Sequence, residues 1–353
     1  MEIHLSYGDL ATQPLESAVT DPALVRSLDL SGNNISAEIL VEIVDKYING
    51  MKSLGELDIK DNKIGSQGAK YLCNALMKHC RELKYLDLGE NGILDQSLLD
   101  VAYLLQELRL ETLFLLSNHL TPRGIPTLCD GICSSRYIRE LSLALNVLGD
   151  RGASMIAEAL MGHPSLRSLD ISDNQIGDAG AVSVARYLIL PSNSRLQSLN
   201  LSVNCFGDVG LVAIAEAVEK TQSTRLARLD LGGNYRVGPV GRRALIKCVS
   251  SMRHLQSLDL CSCQLTDEEA QELVVAVSSR NCGIKELEWF NNPGMELGTE
   301  KALHEALEAK KAALQVETER WRQLQILSSV LLGVSLLGVI AIALRQRRLR
   351  WVL

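Results

Sequence analysis

The chain repeats one phrase, Leu-x-Leu-x-x-Asn or a close variant of it, ten times at nearly constant spacing. Successive copies begin 27 to 30 residues apart, and another aliphatic residue stands three positions before each copy. The copies begin at Leu28, Leu57, Leu86, Leu113, Leu141, Leu169, Leu199, Leu229, Leu258 and Leu287. A period of this length indicates a stack of similar structural units in place of one compact core.

Each unit is predicted to contain one strand and one helix. Alternating leucines such as Leu28 and Leu30 indicate a short strand with one buried face. Ala153, Ile156 and Ala157 in the segment after one copy have the spacing of an amphipathic helix that buries one stripe. Such a unit holds only half a core, so it is stable only when stacked on its neighbours.

An asparagine ends nearly every copy, where a buried amide can bond the turn backbone of adjacent units. Cys263 takes this position in the ninth copy. The others are Asn33, Asn62, Asn91, Asn118, Asn146, Asn174, Asn204, Asn234 and Asn292.

The repeated unit resembles the leucine-rich repeats of the ribonuclease-inhibitor subclass. The resemblance rests on the LxxLxLxxN/CxL pattern, on the length of the unit, and on the segments GDRGASMIAEAL and GDAGAVSVARYL that follow two of the strands. The resemblance implies an α/β horseshoe of about ten repeats over residues 22–311, with a concave parallel sheet, convex helices and a C-terminal capping helix. Residues 1–21 are expected to cap the first repeat. The subclass has many functions, so the resemblance is specific for fold and not for activity.

Charge and cysteine usage exclude several classes of protein. The net charge is −6 although the last nine residues hold four arginines, so the rest of the chain is strongly acidic and unsuited to nucleic acid. The nine cysteines are odd in number and scattered, which is typical of reduced thiols and not of a disulfide framework.

Residues 326–344 form a run of 19 uncharged residues, ILSSVLLGVSLLGVIAIAL, from Ile326 to Leu344. As a helix this run is about 28 Å long, which matches the hydrocarbon core of a bilayer. Trp321 and Trp351 are placed to lie at the two interfaces. We therefore predict a transmembrane helix, preceded by a helical stalk at 312–325; the alternative is a buried helix of the last cap. A basic tail at 345–353 contains Arg345, Arg347, Arg348 and Arg350.

Because only nine residues follow this span, the chain is expected to be tail-anchored, single-pass and inserted after synthesis. The repeats would then lie in the cytosol. A short anchor with a basic tail favours the mitochondrial outer membrane or the peroxisome, and strong hydrophobicity leaves the endoplasmic reticulum as an alternative.

An acidic row is predicted on the concave face, at the outward strand position between the two leucines. It could attract a basic partner. Alternatively, aspartate is simply common at this position and is partly balanced by Arg26, Lys84, Arg139, Arg167 and Lys285. The predicted row contains Asp29, Asp58, Asp87, Asp170, Asp230, Asp259 and Glu288.

An apolar patch interrupts this row in the fourth and fifth repeats. Phe114, Leu116, Ala144 and Leu145 replace residues that are mostly polar elsewhere, and Tyr85 lies one strand away. An exposed apolar patch rimmed by charge is typical of a protein-binding site. The alternative is a shifted register or a covering loop.

Catalytic signals are weak. The six histidines do not occur with cysteines or carboxylates at zinc spacing, and the chain has no GxxxxGK[ST], GxSxG or HExxH motif. We therefore expect no metal, cofactor or small-molecule substrate. The hypothesis is a non-enzymatic, membrane-tethered scaffold that binds a protein partner on its concave face. Two alternatives are a GTPase-activating protein resembling the Ran activator and an innate-immune sensor.

Overall fold

The computed structural model describes residues 1–8, 10, 15–191, 194–221, 225–313, 315–316, 319–320 and 322. Within these ranges, eleven three-residue strands form one parallel sheet whose spatial order follows the sequence. The strands are β1 (Glu2–His4), β2 (Ser27–Asp29), β3 (Glu56–Asp58), β4 (Tyr85–Asp87), β5 (Thr112–Phe114), β6 (Glu140–Ser142), β7 (Ser168–Asp170), β8 (Ser198–Asn200), β9 (Arg228–Asp230), β10 (Ser257–Asp259) and β11 (Glu286–Glu288).

The strands share one register. The central residue of each strand pairs with the central residue of the next, from Ile3 opposite Leu28 to Leu258 opposite Leu287. These central side chains are buried, so they stack in one line beneath the sheet. The residues on either side of them point to the opposite face, because successive strand residues alternate between faces.

Helices follow the strands and cover the buried face of the sheet. In the repeat after Leu141, Ala153, Ile156 and Ala157 are all fully buried, which confirms the predicted stripe. The helices are α1 (Leu15–Ala18), α2 (Ala37–Lys46), α3 (Gly65–His79), α4 (Leu98–Glu107), α5 (Ile125–Ser134), α6 (Gly149–Ala159), α7 (Asp178–Val184), α8 (Asp208–Lys220), α9 (Pro239–Val249), α10 (Asp267–Ser278) and α11 (297–313). Short 3₁₀ turns occupy Pro22–Leu24, Ile48–Gly50 and Asp95–Ser97, and a π-helical turn, Ala185–Ile189, follows α7.

This layering makes the stack curve. Adjacent strands lie about 4.8 Å apart, whereas packed helices need about 8–10 Å between their axes. The sheet therefore lies on the inner, concave side of a solenoid, and its outward strand positions face into the curve.

Buried asparagines join each repeat to its neighbours. The Nδ2 of Asn62 donates to the carbonyl oxygens of Leu30 and Ile59, both at 3.0 Å, and its Oδ1 accepts the N–H of Ile35 at 2.8 Å. The Sγ of Cys263 makes the equivalent contact with the carbonyl oxygen of Leu231 at 3.5 Å. The predicted role of the asparagine series is confirmed.

A second ladder joins the helix starts. The Oδ1 of Asp150 accepts the N–H of Gly177 at 2.7 Å and that of Gly180 at 2.9 Å, and both glycines belong to the next repeat. A Cβ at position 180 would lie 2.9 Å from the same oxygen, so the close approach requires glycine. Asp178 and Asp208 repeat the arrangement, which explains why aspartate and glycine recur together before these helices.

The amino-terminal segment adds a strand to the ten that the repeat predicts. β1 pairs with β2, and Ile3 and Leu5 are buried like the leucines of a repeat. The sequence conceals this strand because Gly8 stands where a repeat has asparagine. Asn33 of the next repeat accepts the N–H of Gly8 at 3.1 Å, which is the same bond that Asn62 makes with the N–H of Asn33.

The membrane-related predictions fall largely beyond this part of the chain. Of the predicted stalk, residues 312, 313, 315, 316, 319, 320 and 322 are described, and all are helical. No helix among the described residues has the length and apolar character that a bilayer crossing requires. The span 326–344, its flanking residues Trp321 and Trp351 and the basic tail lie outside the described residues.

Candidate protein-binding surface

An aromatic pair stands on the concave face where β4 meets β5. Thr112 lies opposite Tyr85, and Phe114 lies opposite Asp87, so the two rings are diagonal neighbours on one face. The rings of Tyr85 and Phe114 meet edge to face, with centroids 5.6 Å apart. Both side chains remain partly exposed, and this contact restricts the orientation of each ring.

Leu116 extends this apolar surface towards the carboxyl ends of the strands. A Cβ on Gly89 would lie 2.9 Å from the Cγ of Leu116. The missing side chain at Gly89 therefore leaves the space that Leu116 occupies, and Leu116 is half-buried.

The fifth repeat contributes less to the exposed apolar patch than the sequence predicts. Leu145 is 49% exposed, but Ala144 is buried, which corrects its assignment to the exposed patch. Its side chain is a single methyl group, and the turn of the preceding repeat is held close to it because Ser117 donates its N–H to the carbonyl oxygen of Ala144 at 2.9 Å. Leu145 has a left-handed backbone with φ of 57°, a conformation that a large residue rarely adopts.

The aspartates of the acidic row have a structural role. The Oδ1 of Asp58 accepts the N–H of Lys60 at 2.9 Å, two residues further along the chain. Asp87, Asp170, Asp230 and Asp259 repeat this bond at 2.7 to 3.0 Å. Each aspartate thus closes the turn after its own strand, which is a physical reason for its recurrence.

The exposure of this row is uneven. Asp58, Asp170, Asp230 and Asp259 are half-buried, whereas Asp87 is only 4% exposed. Two of the five predicted balancing cations, Lys84 and Arg139, pair instead with Glu111, at 3.6 and 2.8 Å. Among the described residues, none of these five aspartates forms an ion pair with a lysine or an arginine.

Burial and neighbouring negative charges raise the pKa of two aspartates beside the aromatic pair. Burial raises the pKa of Asp87 to about 6, and the nearby carboxylates of Asp58 and Glu90 add to this shift. Burial, followed by the charge of Asp29, also raises the pKa of Asp58. Lys60 offsets this only in part, because its Nζ is bound to Glu90 at 3.1 Å. A cation from a partner would relieve the accumulated negative charge.

A depression of about 810 Å³ opens beside Tyr85, at the amino ends of β1 to β5. Glu2, Glu56 and Glu82 are among the residues that line it. The sequence pattern did not predict this feature, because the glutamates belong to three repeats and occupy two different repeat positions. The lining also includes Glu111 and two cations, Arg26 and Lys84, so four carboxylates face two cations beside the aromatic pair.

The described residues contain neither a cluster of metal ligands nor a disulfide bond. The described residues contain no group of three or more histidine, cysteine, aspartate or glutamate side chains that could hold a metal ion. All nine cysteines are described, and all are free thiols.

Comparison with known proteins identifies the repeated unit. A family model described as "Leucine Rich repeat" matches residues 23–44, 50–73, 134–157, 162–185, 192–215 and 251–274. These segments are leucine-rich repeats. They account for the parallel strand–helix solenoid of the structure.

Ribonuclease inhibitor from Sus scrofa is similar to part of the chain. The two are 27% identical over an alignment 177 residues long; the match covers 40% of this chain, and the chain spans 39% of the inhibitor's length.

Two solved structures are similar in shape. The Rad7 and Elc1 complex from yeast matches with a TM-score of 0.53 and 15% identity, covering 80% of this chain and 67% of that one. An internalin (inlF) from Listeria monocytogenes matches with a TM-score of 0.42 and 19% identity, covering 76% of both chains. At these identities the likeness concerns the fold alone.

Proposed function

We propose that this protein is a scaffold that binds a protein partner on the concave face of its leucine-rich repeats and is tethered to a membrane by residues 326–344. The observation that carries the binding proposal is the partly exposed aromatic pair of Tyr85 and Phe114, continued by Leu116 and surrounded by carboxylates.

The chemistry of this surface suits a partner with an apolar anchor and a basic rim. Aromatic side chains supply large contact area at low entropic cost and dominate many interfaces. The neighbouring acids, Asp58 and the glutamates of the depression, would attract lysine or arginine around that anchor. Ribonuclease inhibitor, the similar protein, is named for an action on another protein, which supports a protein ligand here.

The binding proposal is tested by proximity labelling with the intact chain. We compare the wild type with Phe114→Asp, which places a charge in the centre of the cluster, and with Tyr103→Asp as a matched control. Tyr103 is 49% exposed on α4, on the convex side. Labelled partners should be lost from Phe114→Asp and retained by the control. An unchanged partner set in Phe114→Asp would contradict the proposal.

The tether rests on the sequence of residues 326–344, whose 19 uncharged residues match the thickness of a bilayer. The intact chain should resist alkaline carbonate extraction, and a chain ending at Gln325 should not. Protease added outside sealed organelles should digest the repeats. Complete extraction of the intact chain, or protection of the repeats, would disprove the tether. If the intact chain resists extraction, fractionation decides between mitochondria, peroxisomes and endoplasmic reticulum.

A further inference from the structure

Four arginines gather at the amino ends of β8, β9 and β10, where the chain enters the sheet. We call Arg195, Arg225, Arg228 and Arg253 the arginine edge. All four side chains are exposed. This local excess of positive charge stands out because the chain as a whole carries a net charge of −6.

The register of the sheet brings these residues together. Arg228 lies on β9 between Ser198 of β8 and Ser257 of β10. Arg195 and Arg225 each stand three residues before their strands, and the segments run side by side because Ala227 donates its N–H to the carbonyl oxygen of Gln197 at 2.8 Å. Neighbouring backbones at this edge are thus about 4.8 Å apart.

The arginine edge has no internal counterion. Across the described residues, no carboxylate lies within ion-pairing distance of its four guanidinium groups, whereas Arg139 pairs with Glu111 at 2.8 Å. Four exposed guanidinium groups without a paired carboxylate repel one another weakly through the solvent, and an anionic ligand would relieve that repulsion.

We propose that the arginine edge binds an acidic peptide segment of the partner, with its carboxylates along the amino ends of the strands. The inference rests on the proposed concave binding site and adds a second point of recognition to it. Arg228 favours a protein over a lipid surface, because it projects from a strand inside the curve, where a flat bilayer does not reach. Asp230 lies two residues after Arg228 on the same face of the sheet. Its negative charge would repel the acidic segment and so keep that segment at the amino ends of the strands.

The partner would therefore carry two features at a fixed separation. From β4 and β5 to β9 is four to five strand spacings, or about 19–24 Å. The apolar anchor with its basic rim would occupy repeats three to five, and the acidic segment would occupy repeats seven to nine. This arrangement also sets the direction in which the partner lies on the sheet.

The test uses a fluorescein-labelled decaglutamate peptide and the full chain in neutral detergent, with fluorescence anisotropy as the readout. Arg345, Arg347, Arg348 and Arg350 are replaced by glutamine in every protein compared, so that the basic tail does not bind the peptide. We compare the wild type, R225E/R228E and the control R123E/R151E, which makes the same charge change on exposed arginines near the starts of α5 and α6. We expect the wild type and the control to bind equally. R225E/R228E should bind about tenfold more weakly or not at all.

The single variant R228Q, which makes the smaller change, should weaken binding by about threefold and serves if the double variant fails to fold. Absence of decaglutamate binding to the wild type, or an equal loss in the control, would overturn the proposal. In a competition experiment, unlabelled decaglutamate and phosphatidylserine-doped micelles each displace the labelled peptide. If the micelles do so at a lower total negative charge, the arginine edge binds lipid, and the proposal is overturned. The Phe114→Asp result is independent, so failure of one site does not imply failure of the other.

Discussion

One asparagine in each repeat does more for the stack than its exposed neighbours. Asn174 is fully buried, and its Nδ2 donates to the carbonyl oxygens of Leu143 and Ser172, both at 2.8 Å. Asn174→Ala leaves these acceptors without a partner, so we expect a loss of about 2–4 kcal/mol in the free energy of unfolding. Urea denaturation measures it. The same change at exposed Asn74, on α3, should cost less than about 0.5 kcal/mol; equal losses would refute the ladder's role.

Asp87 gives stability an unusual pH dependence. Its pKa is raised to about 6, above the value of about 3.9 in an unfolded chain. Unfolding between these values releases a proton, so the stability of the wild type falls as pH rises from about 4 to 6 and the loss is complete above pH 6. Asp87→Asn should remove this loss while keeping the turn, because Asn200 accepts the N–H of Ser202 at 3.0 Å in the same position of β8.

The comparison to make is the urea midpoint of the two proteins at pH 4.5 and pH 7.5. The urea midpoint of Asp87→Asn, relative to that of the wild type, should be higher at pH 7.5 than at pH 4.5. A constant difference across the range would mean that Asp87 ionises normally. Because ligand cations would relieve the same cost, the wild-type penalty should also shrink once a basic partner is bound.

At the scale of elements, one buried ion pair fastens α9 to α10. The Nε of Arg242 donates to the Oε2 of Glu269 at 2.8 Å, and both side chains are under 10% exposed. Glu269 also caps α10 with Thr266. Glu269→Gln keeps the cap but leaves a buried guanidinium without its counterion, so we expect a loss of about 3 kcal/mol.

Two further variants isolate the charge in this pair. Adding Arg242→Met to Glu269→Gln should recover most of the loss. Glu268→Gln breaks only the exposed contact with Arg243 at 3.4 Å and should cost less than about 0.5 kcal/mol. Equal urea midpoints for the two single variants would show that burial of the pair is unimportant.

Periodicity predicted elements well where the repeat is regular. The ten leucine-centred strands and the stripe of α6 follow from spacing alone, because burial on one face leaves a period of 2 or 3.6 in the sequence. β1 was not predicted because Gly8 stands where most copies of the phrase have asparagine. Ala144 was misplaced because spacing shows which way a side chain points and not how far it protrudes.

For the molecule as a whole, the sequence indicated the apolar cluster but not its electrostatic setting. The glutamates of the depression and the arginine edge come from different repeats and become neighbours only through the sheet register. The pairing of Lys84 and Arg139 with Glu111 likewise depends on side-chain geometry that no linear pattern contains. Together they make the concave face acidic around the aromatic pair and basic at the edge of later repeats.

The central claim is that a protein partner sits on the aromatic pair of the concave face. Photo-crosslinking tests it most directly, with p-benzoylphenylalanine incorporated at Phe114 or, on the convex side, at Tyr103 of the full chain in cells. We predict a discrete crosslinked partner at position 114 that is missing at position 103. No crosslink at 114, or the same products at both positions, would contradict the account.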